Sequence, residues 1–130
     1  MNSKIRSFIS CLCTLISLTG LGSAAQGAIG GLTLSTKSLA GRDMDLHFSQ
    51  DAVTSAVKSA VVCTSQAIDV SQAKLWMPDM GHGSSPTALV RQDAFCTRVD
   101  RLNFLMPGDW ELRVTLVDGD SGVFTFNVAE

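Results

Sequence analysis

From Asp43 onward, apolar and polar residues take turns along the chain. Met44, Leu46 and Phe48 alternate with Asp43, Asp45 and His47. Ala73, Leu75 and Met77 alternate with Lys74 and Trp76. Trp110, Leu112, Val114 and Leu116 alternate with Glu111, Arg113 and Thr115, and Phe124, Phe126 and Val128 with Thr125 and Asn127. A period of two places one set against a core and the other toward water, so each run predicts a half-buried strand. The last two runs are separated by Asp118-Gly119-Asp120-Ser121-Gly122, a turn-rich stretch that predicts a hairpin. Ala52, Val53, Ala56, Val57 and Ala60 have helical spacing instead, with Ser49 or Asp51 as a candidate cap. The β-branched run that follows predicts a short helical turn or loop and then a strand from about Ser59. A strand is also expected to end at Met106, which shares parity with Phe104. About seven short strands with frequent turn signals predict an all-β fold, a small antiparallel β-sandwich of immunoglobulin-like type.

The start of the chain has a different pattern. Lys4 and Arg6 precede an uncharged apolar run from Phe8 to Leu21, and Ser23-Ala24-Ala25 follows with small residues. This is the three-part pattern of a secretory signal peptide, with cleavage expected after Ala25. The run is too short for a membrane anchor, which needs about 20 apolar residues, so no membrane span is expected after cleavage. Cys11 and Cys13 lie inside the apolar run, and Phe8-Ile9-Ser10 is a poor lipobox, so a lipoprotein is the lesser alternative. Gln26 to Gly31 is rich in Gly and Ala. A flexible lead is expected over 26–38 and the sandwich domain over 39–130. The expected setting is outside the cytoplasm, in the periplasm.

Export changes the charge and the cysteines. The full chain carries a formal charge of −2. Losing Lys4 and Arg6 removes two positive charges and leaves −4. No basic patch remains to neutralise a phosphate backbone, so nucleic-acid binding is not expected. Of four cysteines, Cys63 and Cys96 remain. In an oxidising compartment a disulfide is the first reading, and a loop of this size would add about 3–4 kcal/mol. A pair of metal thiolates or two free core thiols is the alternative.

The most unusual local sequence is Trp76-Met77-Pro78-Asp79-Met80-Gly81-His82-Gly83. Pro78 stops a central ladder and the glycines permit positive φ, so a strand is expected to end in a tight loop. Thioether sulfur is a soft ligand suited to Cu(I), and imidazole binds either copper state. Met80 and His82 are candidate ligands, with Met106 as a third if its loop meets theirs. Met77 is a weaker candidate, because it shares parity with Leu75 and fits a core position. The competing reading makes Met106 a core gap filler, His82 a turn cap, and Gly108 and Trp110 a turn followed by a ring over the core. Asp43, Asp45 and His47 on one strand face form a second candidate site for Cu(II) or Zn(II), against the commoner solvated face. A blue-copper centre needs two His and a Cys, and no His lies near Cys96. An enzyme is not expected. Ser84 and Ser85 adjoin His82 only in sequence, no phosphate loop occurs, and the chain has two His and no Tyr.

Leu75 to Gly83, followed by Phe104-Leu105-Met106-Pro107-Gly108-Asp109-Trp110-Glu111-Leu112, resembles the YtkA-like domain family. That family resembles the FixH family, linked to cytochrome oxidase assembly, and more loosely the copper-handling periplasmic domains of CopC type. The resemblance covers roughly Leu39 to the C-terminus. Its matching positions are Met77, Pro78, Met80, Gly81, His82, Phe104, Met106, Gly108 and Trp110. It implies a sandwich fold and an exported setting; with the Met and His loop, the expected function is a copper-binding accessory protein that holds or delivers copper, linked to oxidase maturation, and not a catalyst. The Cys63 and Cys96 pair is not part of it. A non-catalytic module that binds an exported or membrane protein partner through its loops is the alternative, and it predicts an exposed apolar patch near Trp76.

Overall fold

The computed structural model describes residues 31–130, so the expected signal peptide and the first part of the lead lie outside the described residues. The alternating runs form strands, and they bury the faces that their apolar residues mark. In chain order the strands are β1 (Leu32–Lys37), β2 (Asp43–Phe48), β3 (Val53–Thr54), β4 (Ser59–Thr64) and β5 (Val70–Met77). Then come β6 (His82–Gly83), β7 (Ala88–Arg91), β8 (Cys96–Asp100), β9 (Gly108–Leu116) and β10 (Ser121–Ala129). No helix forms among the described residues.

The strands make two five-stranded sheets, ordered β1-β2-β4-β8-β7 and β3-β10-β9-β5-β6. All neighbours are antiparallel except β3, which runs parallel to β10. The architecture is a small β-sandwich. Met44, Leu46 and Phe48 of the first sheet meet Leu75, Leu112, Val114, Phe124 and Phe126 of the second in one buried core. Phe48 and Phe104 both pack edge-on against Phe126, with ring centroids 5.4 and 5.8 Å apart. Burying one such side chain stabilises by about 1.5–3 kcal/mol, so this inner layer dominates the fold's stability.

Three expectations change. The lead does not run to residue 38: Leu32–Lys37 is β1, paired with β2 from Leu32↔Phe48 to Lys37↔Asp43. Leu32 and Leu34 are only half-buried at the sheet edge, which blunts their alternation. The helical spacing at 52–60 yields no helix but the loop alternative, interrupted by a short strand, and the strand expected from about Ser59 begins there as β4. Val53 enters β3 beside Val128, and Val57 and Ala60 also point into the core. Finally, residues 101–107 form no strand. Arg101 takes φ 61°, a left-handed conformation uncommon outside Gly, Asn and Asp, and the chain leaves the first sheet there to reach the second. Leu102 and Phe104 are buried beneath this crossing. The strand count is ten rather than about seven: β1, β3, β6, β7 and β8 join the five that the pattern marks.

Cys63 and Cys96 form a disulfide. They are directly opposed on the adjacent strands β4 and β8, with Cα atoms 4.1 Å apart. The bridge therefore lies within one sheet, on its outer face. It does not cross between sheets as the bridge of antibody domains does.

Candidate functional site

The motif residues gather at one end of the sandwich. β5 runs up to Met77 and β9 starts down from Gly108 on the neighbouring strand, so both motif loops leave the same edge. The first loop, Pro78 to Gly81, closes a hairpin in which Met77 faces His82. The Met77 carbonyl accepts from the amides of Met80 (3.2 Å) and Gly81 (2.9 Å). Gly81 has φ 67°, which suits Gly far better than a residue with a Cβ. Pro78 stands where the ladder ends, as its missing N–H requires.

The second loop is held from beneath. Trp110 is fully buried, and its Nε1–H donates to the Met106 carbonyl at 3.0 Å. Phe104 packs edge-on against the same indole, with centroids 5.6 Å apart. Gly108 has φ 129°, and a Cβ there would lie 2.9 Å from Cε of Met77. The side chain of Met77 therefore fills the space that the glycine leaves open.

The two loops are tied to each other. The Ser84 hydroxyl donates to the Asn103 carbonyl, and Asn103 Nδ2 donates to Ser85 Oγ at 3.2 Å. These bonds join the stretch just after His82 to the stretch just before Met106. Ser84 and Ser85 thus act as loop fasteners. Neither they nor the indole bond of Trp110 could be assigned from sequence, since each spans segments with no shared pattern.

Among the candidate ligands, Met80 is 55% exposed and Met106 37% exposed. Met106 is therefore not the core filler that its parity with Phe104 suggested. Met77 is 4% exposed and belongs to the core, as its parity with Leu75 indicated. His82 is half-buried, and its Nδ1 lies 3.0 Å from the Gly83 carbonyl. A carbonyl only accepts, so Nδ1 carries the proton and the lone pair of the neutral ring is on Nε2. A ring nitrogen fixed in this way is how proteins orient an imidazole for metal binding. The competing reading expected a backbone hydrogen bond that caps the turn; the bond is present, but it goes to Gly83 within β6 and not to the turn.

The second candidate site has a different arrangement. Asp43, Asp45 and His47 lie on the outer face of β2, and each pairs across to β1. Lys37 Nζ reaches Asp43 at 2.5 Å, Ser35 Oγ donates to Asp45 at 2.6 Å, and Thr33 Oγ1 lies 2.9 Å from His47 Nδ1. No group of three or more His, Cys, Asp or Glu side chains disposed to hold a metal ion occurs among the described residues.

Trp76 is half-buried on the outer face of the second sheet. Arg113 and Lys74 lie over its ring, 4.7 and 5.5 Å from the centroid, so the surface there is mixed rather than apolar. A pocket of about 270 Å³ lies beside β5, lined by Ser71, Lys74, Ser84, Thr87 and Leu89 among others. It contains neither thioether and not the imidazole. No helix among the described residues is long and apolar enough to cross a membrane. No protein-family model and no curated protein matches the chain.

Proposed function

We propose that the chain is an exported, periplasmic copper-binding accessory protein. In this reading Met80, His82 and Met106 hold copper as cargo and pass it on without catalysing a reaction. One observation supports the reading: two solvent-exposed thioethers and a half-buried imidazole stand on two loops that leave the same end of the sandwich and are fastened to each other. Two thioethers and one imidazole form a soft donor set that favours Cu(I). Their exposure suits a carrier, since a metal that must be handed over needs an open side. Met77 serves the site as its floor, and Trp110 by holding the Met106 loop.

The test is a titration of the mature protein with Cu(I) against a competing chelator. Met80→Ala, His82→Ala and Met106→Ala are each expected to weaken binding about tenfold or more, and Met77→Leu to leave it nearly unchanged. Copper left entirely with the chelator, or equal affinity in all four variants, would refute the proposal.

The exposure of Leu105, 55%, next to the exposed Met106 favours a second reading, a module that docks an exported or membrane protein partner. It predicts that Leu105→Ser reduces partner capture from an exported fraction while Cu(I) affinity is unchanged. Capture unaffected by the substitution counts against it.

A further inference from the structure

The disulfide is positioned for chemistry that its role as a staple does not require. Cys63 and Cys96 are both half-buried, and they lie on the outer face of the sheet, away from the core. Their neighbours Val62 and Thr97 form the inward pair, both buried. Backbone pairing continues on both sides of the bridge. Ser59↔Asp100 through Val62↔Thr97 precede it, and the Thr64 amide donates to the Phe95 carbonyl (2.9 Å) beyond it. The turn that feeds β8 is fixed separately, with Asp93 Oδ1 accepting from the Phe95 and Cys96 amides at 2.8 and 2.9 Å. The register of β4 and β8 is thus set without the sulfur–sulfur bond, and no core side chain rests on it.

We propose that Cys63 and Cys96 form an exchangeable disulfide/dithiol couple, reduced by dithiols and reoxidised by disulfides outside the cytoplasm while the sandwich stays folded. A thiolate of the reductant attacks one sulfur, the S–S bond breaks, and a mixed disulfide forms as the other cysteine leaves and takes a proton. The second thiol of the reductant then displaces the first cysteine. Two electrons and two protons pass to the protein, and the reductant ends as its own disulfide. Both cysteines are half-buried on the outer face rather than sealed in the core, which gives the attacking group a route to them, and the intact ladder holds the two thiols opposite each other for reoxidation. This proposal is independent of copper binding.

The experiment treats the oxidised, folded protein with dithiothreitol, blocks free thiols with a maleimide, and follows circular dichroism and tryptophan fluorescence in parallel. Two labelled thiols are expected with the β-sheet spectrum retained, at a rate proportional to dithiothreitol concentration. Removing the reductant and adding oxidised glutathione should restore the bridge. Thiols that appear only as the spectrum is lost, or at a rate independent of dithiothreitol, would show that reduction waits on global unfolding and would overturn the proposal. The double variant Cys63→Ser/Cys96→Ser provides a second test: it is expected to fold at 25 °C with the same spectrum, and a chain that fails to fold overturns it as well.

Discussion

At Gly108 the backbone and one side chain compete for the same space. A Cβ there would meet Cε of Met77 at 2.9 Å, at a φ of 129° that L residues rarely adopt. Gly81 differs, because its φ is 67° and nothing lies within 4 Å of where a Cβ would stand. The two glycines therefore carry unequal penalties. Gly81→Ala is expected to cost about 1–2 kcal/mol, the left-handed penalty alone. Gly108→Ala is expected to cost more, about 2–4 kcal/mol, because backbone strain adds to displacement of a core methionine. Urea unfolding of both variants checks the order, and equal costs would show that Met77 yields freely. The same pair shows what was legible at this scale. Glycine in a turn is visible in sequence, but the close approach of Met77 is not, since it joins residues 31 positions apart.

Among the elements, legibility followed burial on one face. β2, β5, β9 and β10 each bury one face and expose more of the other, so their period of two was plain. β1 was hidden because its Leu32 and Leu34 are half-buried at an edge, and β3 and β6, at two residues each, are too short to show a period. The crossing at 101–107 imitated a strand, since Leu102 and Phe104 share parity and are both buried. Nothing in Arg101 announces its left-handed backbone. Of the candidate site, the motif that carries Met80 and His82 stands out in the sequence, whereas the bonds of Ser84, Asn103 and Trp110 that hold its loops do not.

A clasp between two turns was also invisible in the sequence, and it has a consequence for acid stability. Asp120, in the turn between β9 and β10, accepts from Ser38 Oγ (2.6 Å), the Ala40 and Ser121 amides (3.0 and 2.9 Å) and Arg42 (3.1 Å). Its side chain is only 5% exposed. The Ser38 hydroxyl first, then backbone amides and the Arg42 guanidinium, hold its carboxyl below the usual range against the cost of desolvation. Asp118 is lowered as well, chiefly by the Asp120 amide and by Arg42. A carboxylate whose folded pKa is depressed contributes stability that is fully present above its unfolded value, about 3.9. That contribution is lost as pH falls from there through the lower folded value. Asp120→Asn is therefore expected to be less stable than the parent at pH 7, with the gap closing below about pH 4. Urea midpoints between pH 2 and 7 test this, and a gap that stays constant with pH would show that charge is not what Asp120 contributes.

At the scale of the whole molecule, the single bridge between residues 63 and 96 makes a covalent ring. The ring contains β5, β6 and β7, and with them Met80 and His82, while Met106 lies outside it. Any break in the backbone between Cys63 and Cys96 opens the chain without dividing it. The exposed Pro78–Gly81 turn is a natural place for a protease to cut. A molecule nicked there should migrate as one piece on a non-reducing gel and as two fragments once reduced, with the larger part of its sheet still hydrogen-bonded. If so, a cut through the Pro78–Gly81 turn would break the proposed copper site yet leave the fold standing, and digestion followed by paired gels and Cu(I) titration would show whether the two losses come apart.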